Sequence, residues 1–196
     1  MRVIAGSLRR RTLEAPRGLA TRPTSDRLRE TLFNILAPRI GGAGFLDLYA
    51  GSGAVGIEAL SRGARSVVFV ERAQPALKVL WSNLEKLGLR DGFRVEGGSV
   101  LAYLRREGGD PASGFDVIFL DPPYDAAGEY EAVLGLLGGG AARLLREDAL
   151  VIAEHRRKER LEEQYGALQR VRLLEQGDAA LSFYQARAAM RGPIAE

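Results

Sequence analysis

Between residues 44 and 155, short apolar runs alternate with segments of helical period, and that alternation leaves few folds open. The apolar runs are FLDLYA (45–50), SVVFVE (66–71), FRVEG (93–97), FDVIFLD (115–121) and ALVIAEH (149–155). Each has the length of a strand buried on both faces. Helical stretches lie between them, chiefly PALKVLWSNLEKLGL (75–89) and EYEAVLGLL (129–137). Strands alternating with helices predict a parallel α/β sheet. Upstream, TSDRLRETLFNIL (24–36) reads as a helix. Thr24 or Ser25 caps it, Leu28, Leu32, Ile35 and Leu36 recur at helical spacing, and Pro38 is expected to end it. The C-terminal LQRVRLLEQGDAALSFYQAR (168–187) reads as two strands turning at Gly177-Asp178, a hairpin that would make one sheet edge mixed. The first residues read as a short strand, RVIA, a basic turn and a return.

The first strand runs into GSGAVG, with Gly51, Gly53 and Gly56 in G-x-G-x-x-G spacing, and then into a helical IEALSRGA. Strand, glycine turn and helix together form a nucleoside-cofactor fingerprint. Glu71 ends the next strand, where a carboxylate can accept hydrogen bonds from ribose hydroxyls. That feature serves NAD and S-adenosylmethionine alike. Asp47 stands just before the glycines, where it would repel a diphosphate and attract a cation. S-adenosylmethionine carries a sulfonium and an ammonium and no phosphate. Alternatively, Asp47 faces the helix interface or hydrogen-bonds the glycine loop.

The fourth apolar run ends in Asp121-Pro122-Pro123-Tyr124. Ligands of open parallel sheets lie beyond the C-terminal strand ends. An exocyclic base amine is a poor nucleophile, because its lone pair is delocalised into the ring. Acceptors placed on its hydrogens turn that lone pair toward an electrophile and stabilise the charge that develops. The Asp121 carboxylate and the Pro122 carbonyl are two such acceptors. Pro122 and Pro123 stiffen the turn and bring no N–H donor, and Tyr124 can stack on the base.

Charge points to the partner. Residues 1–30 hold eight arginines against Glu14, Asp26 and Glu30, a net of +5 in a chain whose total is +3. A basic arm on a near-neutral body suits a polyanion. The candidate contacts are Arg2, Arg9, Arg10, Arg11, Arg22 and Arg27. The chain has no cysteine and one histidine, which excludes disulfides, thiolate metal sites and a histidine-rich metal centre; no metal is expected. No apolar run approaches the roughly 20 residues of a membrane helix, so a cytoplasmic protein without membrane contact is expected. His155 reads as structural or solvent-facing, and Trp81, on a helix with Leu77, Leu80 and Leu84, as core.

DLYAGSGAVG together with DPPY resembles the class I S-adenosylmethionine-dependent amino-methyltransferases. RPTSDRLRETLFNIL (22–36), FLDLYAGSGAVGIEALSRGA (45–64) and ALSFYQAR (180–187) narrow the resemblance to the bacterial 16S ribosomal RNA guanine-N2 methyltransferase family. It extends from Met1 to Arg187. The resemblance implies a Rossmann-like, seven-stranded, mostly parallel sheet with an antiparallel last strand and a small N-terminal hairpin extension. It divides the chain into a basic RNA-docking extension (1–22), a methyltransferase domain (23–187) and a tail (188–196). It implies S-adenosylmethionine as cofactor, bound by Asp47, Gly51, Gly53 and Glu71, and catalysis at Asp121, Pro122, Pro123 and Tyr124. The segment 22–34 would pack beside cofactor and RNA. Many class I enzymes carry an acid after the third strand that meets the adenine; here Ser99 takes that place, able to hydrogen-bond but uncharged. The implied partner is 16S ribosomal RNA or the small ribosomal subunit, assembled or assembling, met by a monomer. A DNA adenine-N6 methyltransferase and a non-catalytic RNA-binding assembly factor are the alternatives that share these motifs.

Overall fold

The computed structural model describes residues 1–15, 25–106, 114–123 and 128–186. Helix α1 (Asp26–Ile40) precedes a regular alternation of β1 (Gly44–Leu48), α2 (Ala54–Ser61), β2 (Ser66–Glu71), α3 (Gln74–Lys86), β3 (Phe93–Gly97), α4 (Val100–Arg106), β4 (Phe115–Leu120) and α5 (Glu129–Leu137). The long β5 (Leu145–Arg156) leads to three antiparallel strands, β6 (Gln164–Tyr165), β7 (Leu168–Gln176) and β8 (Ala179–Ala186). The sheet order is β3-β2-β1-β4-β5-β8-β7-β6, with β1 to β5 parallel. Strand β8 returns antiparallel between β5 and β7, as the hairpin at Gly177 predicts.

Four local expectations are corrected. Among the described residues the sheet has eight strands rather than seven, because Gln164 and Tyr165 pair with β7. A two-residue strand is too short to show alternation in sequence. Pro38 does not end α1, which continues to Ile40. The carbonyl that Pro38 leaves without a donor belongs to Asn34, and both residues lie on the exposed face, where water can serve it. Residues 100–106, not singled out as helical, form α4. Trp81 is not core: it is 50% exposed, with its ring edge-on to Phe93 at 6.1 Å. The buried stripe of α3 is Ala76, Leu77, Leu80, Asn83 and Leu84. Trp81 falls about 100° away from Leu80, beside the edge strand β3.

Alternation along the strands divides the core in two. Phe45, Phe69, Val117, Phe119, Ile152 and Phe183 meet α1, α2 and α3 on one face. Leu46, Leu48, Ile118, Leu120, Val151 and Tyr184 meet α4 and α5 on the other. Helix α1 starts at Ser25, whose Oγ accepts from the Leu28 N–H at 3.1 Å.

The N-terminal extension closes on itself through an Arg2–Thr12 bridge and packs Val3 and Leu13 into the first of these cores. Glu58 of α2 is fully buried beneath it. Its carboxylate accepts from the N–H groups of Ile4 (2.7 Å) and Ala5 (3.0 Å) and from Arg62 Nε (2.7 Å). Ser61 Oγ donates to the Ala5 carbonyl and accepts from the Leu8 N–H. Gly6 lies so close that a Cβ there would sit 1.8 Å from the Ser61 carbonyl oxygen. On α3, buried Asn83 pairs with both backbone groups of Glu14 and also donates to the Ser52 carbonyl in the glycine turn (3.0 Å). Glu58→Ala would leave two backbone donors without an acceptor, at a cost of about 2–5 kcal/mol. The thermal midpoint should fall by roughly 5–15 °C, with faster hydrogen exchange at Ile4 and Ala5.

Candidate active site

The turn after β1 is built by residues that tolerate its backbone. Gly51 (φ 56°) and Gly53 (φ 79°) are left-handed, and so is Tyr49 (φ 62°), unusual for a residue with a side chain. The three glycines differ in what surrounds them. A Cβ on Gly53 would meet Leu80 at 2.3 Å and one on Gly56 would meet Phe69 at 2.3 Å, so both serve close packing. At Gly51 the nearest atom would be 4.0 Å away, leaving that side of the turn open to a ligand.

Two carboxylates hold the turn. Glu71 Oε2 accepts from the Gly51 N–H (2.8 Å), and its Oε1 accepts from the Ala73 N–H (2.7 Å). A carboxylate has further lone pairs for ribose hydroxyls. Asp47 is almost wholly buried, and its Oδ2 accepts from the Gly56 N–H in the first turn of α2 (2.9 Å). Its hydrogen bond goes to the glycine loop, the alternative the sequence left open, so an effect on a cation acts through its field. Burial pushes the Asp47 carboxyl up to about 7; the Gly56 N–H opposes the shift and Glu71 adds to it.

Asp121 follows the last residue of β4. Leu120 pairs with Leu48 on one side and Ala153 on the other, so Asp121 lies one step beyond the glycine-turn strand and level with Glu154. Alternation puts Asp47, Asp121 and Glu154 on one sheet face. Asp121 keeps some solvent access, yet protein surrounds its carboxyl. Loss of water, then Glu154, then Asp47 raise it well above the usual carboxylate range. Pro122 is buried and Pro123 half-buried; Tyr124 lies outside the described residues. Ser99 is exposed and opens α4, accepting from the Tyr103 N–H through its carbonyl. The Gly98 N–H donates to the Glu71 carbonyl, which brings the Ser99 turn beside the cofactor strand.

Three residues of this neighbourhood escaped the sequence reading. Glu154 is buried at the end of β5; an acid closing an apolar strand run was the available signal. Arg29 is fully buried in α1, donates to the Arg2 carbonyl and to Asp26, and leaves Nε without a hydrogen-bond partner among the described residues. Glu129, first residue of α5, accepts from the Tyr49 hydroxyl and ties α5 to the glycine turn. His155 lies within β5. Its buried ring sits 2.9 Å from Ser182 Oγ and 2.9 Å from the Arg156 carbonyl, and burial lowers its pKa.

The basic residues are spread along the arm and the first turn of α1. Arg2, Arg9, Arg10, Arg11 and Arg27 are exposed, and Arg22 lies outside the described residues. Arg2 is 3.8 Å from Asp26, and Arg11 donates to the Lys86 carbonyl. The tip of the arm rests on Ser61, the last residue of α2. Arg9 and Arg10 therefore stand about 12 Å, the length of α2, from the glycine turn. Among the described residues, no cluster of three or more histidine and acidic side chains could hold a metal ion, and no helix is long and apolar enough to cross a membrane.

A family model described as "Conserved hypothetical protein 95" matches residues 1–185. "Putative rRNA methyltransferase YlbH" of Bacillus subtilis is 39% identical over 191 residues, covering 95% of this chain and 100% of that one. "Ribosomal RNA small subunit methyltransferase D" of Escherichia coli is 38% identical over 154 residues, covering 79% of this chain and 74% of that one. The solved structure of "Putative methyltransferase yhhF from Escherichia coli" matches with a TM-score of 0.82 at 33% identity, covering 96% of this chain and 98% of that one.

The buried Asp47 carboxyl sets a pH dependence. Its folded pKa of about 7 lies above its ordinary 3.8, so folding favours the protonated form. Its contribution to stability is complete below about pH 4 and is lost as pH rises to about 7. Between pH 5 and pH 7 the thermal midpoint of the wild type should fall by roughly 5–10 °C more than that of Asp47→Asn. Parallel pH profiles would refute the assignment.

Proposed function

The chain belongs to the Conserved hypothetical protein 95 family, matched over residues 1–185, and from that premise we propose that it transfers a methyl group from S-adenosylmethionine to the N2 amine of a guanine in small-subunit ribosomal RNA. It acts in the cytoplasm, on RNA that is free or within the small subunit. The observation that carries this reading is the position of Asp121, one step beyond the Leu48–Leu120 pair and therefore beside the glycine turn.

The site's own chemistry selects the cofactor class. Asp47, Glu71 and Asp121 place carboxyls around the turn, while Arg9 and Arg10 of the N-terminal arm stand away from it. A diphosphate there would face repulsion, whereas a cation would favour the ionised carboxylates. Gly51 leaves room for close approach, and Glu71 has lone pairs for the ribose. When bound, the cofactor supplies an activated methyl group, so no covalent enzyme intermediate is required.

The rest falls to positioning. Asp121 and the Pro122 carbonyl accept the two N2 hydrogens, aim the nitrogen lone pair and stabilise the positive charge that develops on it. Asp121 is held toward its neutral form by burial and by Glu154 and Asp47. A cation beside it restores the carboxylate, so cofactor binding and ionisation of Asp121 are linked. The surplus proton on N2 leaves to water. The target guanine must come from a loop or be turned out of its stack to reach Asp121.

Asp121→Ala should lower methyl transfer to small-subunit RNA by about 10²–10³-fold, while calorimetric S-adenosylmethionine binding persists. Wild-type turnover in this variant would refute the catalytic role, and tight NAD binding by the wild type would refute the cofactor. The exposed arm is the RNA-docking element in this reading. Replacing Arg9, Arg10 and Arg11 by Ala should weaken RNA binding and flatten the logarithmic salt slope by about 0.7–0.9 for each phosphate no longer neutralised. Equal affinity and slope would remove the arm from the interface.

A further inference from the structure

Strand β5 overshoots its parallel neighbours. Leu120 of β4 pairs with Ala153, and β5 continues through Glu154, His155 and Arg156. Three residues carry it about 10 Å beyond the level of Leu120. Strand β8 keeps pace, since Arg156 pairs with Ala179, and β7 pairs with the same residue through Gln176. The three strands thus form a wall that rises past the C-terminal sheet ends beside Asp121. The loop that crowns it reads Arg156-Arg157-Lys158-Glu159-Arg160, a net charge of +3 in five residues.

This loop is held firmly. The Arg157 N–H donates to the Asp178 carbonyl (2.8 Å), and the Glu159 N–H donates to the Arg156 carbonyl (2.9 Å). Its charges divide by role. Arg157 pairs with Glu175 of β7 at 3.1 Å. Glu159 is half-buried, and its charge acts on His155. Arg156, Lys158 and Arg160 are exposed, and among the described residues Lys158 and Arg160 have no ion-pair partner. Of the acids that follow, Glu163 pairs with Arg170 (3.5 Å), and Glu162 is exposed.

Arg9 and Arg10 stand at the far end of α2 and cannot by themselves orient RNA at Asp121. A base that leaves its stack enters the site while its phosphates stay outside. Those phosphates need cations on the mouth side of the sheet, and the crown of β5 supplies them. We propose that Arg156, Lys158 and Arg160 form a second RNA-backbone contact that grips phosphates flanking the target nucleotide. The proposal rests on the RNA methyltransferase reading given above.

The test uses the full-length double variant Lys158→Ala/Arg160→Ala and the charge-preserving pair Lys158→Arg/Arg160→Lys. Binding and methylation of small-subunit RNA are measured at several salt concentrations. The alanine variant should bind RNA several-fold more weakly, with a logarithmic salt slope shallower by about 1.4–1.8. Its KM for RNA should rise more than its kcat falls, while S-adenosylmethionine affinity and thermal midpoint stay at wild-type values. The charge-preserving variant should match the wild type. Wild-type RNA affinity, slope and KM in the alanine variant would overturn this proposal alone. A loss of thermal stability or cofactor binding in that variant would also overturn it, by showing a structural role. Failure of the wild-type protein to bind and methylate RNA would overturn the methyltransferase reading and this proposal with it.

Discussion

The turn between β1 and α2 is strapped from below by Asp47 and from the side by Glu71. Without those two carboxylates, the amides of Gly51 and Gly56 would face protein with no acceptor. The straps set where α2 starts and hence how closely Gly53 and Gly56 pack against Leu80 and Phe69. They also load the end of the sheet with negative potential. Asp121 arrives beside them because β4 pairs with β1, and Glu154 because β5 pairs with β4. One set of acids therefore shapes the backbone and, in the proposed reading, would favour a cation-bearing ligand.

The N-terminal extension belongs to the same structure rather than hanging from it. Buried Glu58 and Asn83 hold it by its own backbone groups, and Asn83 reaches the Ser52 carbonyl as well. The arm, α2, α3 and the glycine turn consequently form one hydrogen-bonded unit. This unit points the Arg9–Arg11 turn away from the mouth. The opposite side of the sheet, where β5, β7 and β8 overrun the parallel strands, carries the basic crown. In the proposed reading, an RNA substrate would meet cations at both places.

Much of this was legible in the chain. The apolar runs mark all five parallel strands, and the segment 129–137 has the bounds of α5. The final hairpin, the cap at Ser25 and the glycine turn were also readable, because each is encoded by neighbours in sequence. Errors arose where a neighbour in space decides. Trp81 has helical spacing to leucines but lies beyond the edge of the sheet. Pro38 is tolerated because the carbonyl it orphans faces water. Glu58, Asn83 and Glu129 carry roles through partners 31 to 80 residues away, and Glu154 through a strand pairing that no local pattern announces.

By itself the sequence determined the alternating α/β order, the glycine spacing after the first strand and the placement of Asp-Pro-Pro at the end of the fourth. Those features follow from backbone periodicity and from the conformations that glycine and proline allow, which are local properties. Tertiary structure decided which carboxyls share a face, how far burial raises Asp47 and Asp121, and which basic residues reach the mouth. These depend on distance and on excluded water. Both are set only when strands remote in sequence come to lie side by side.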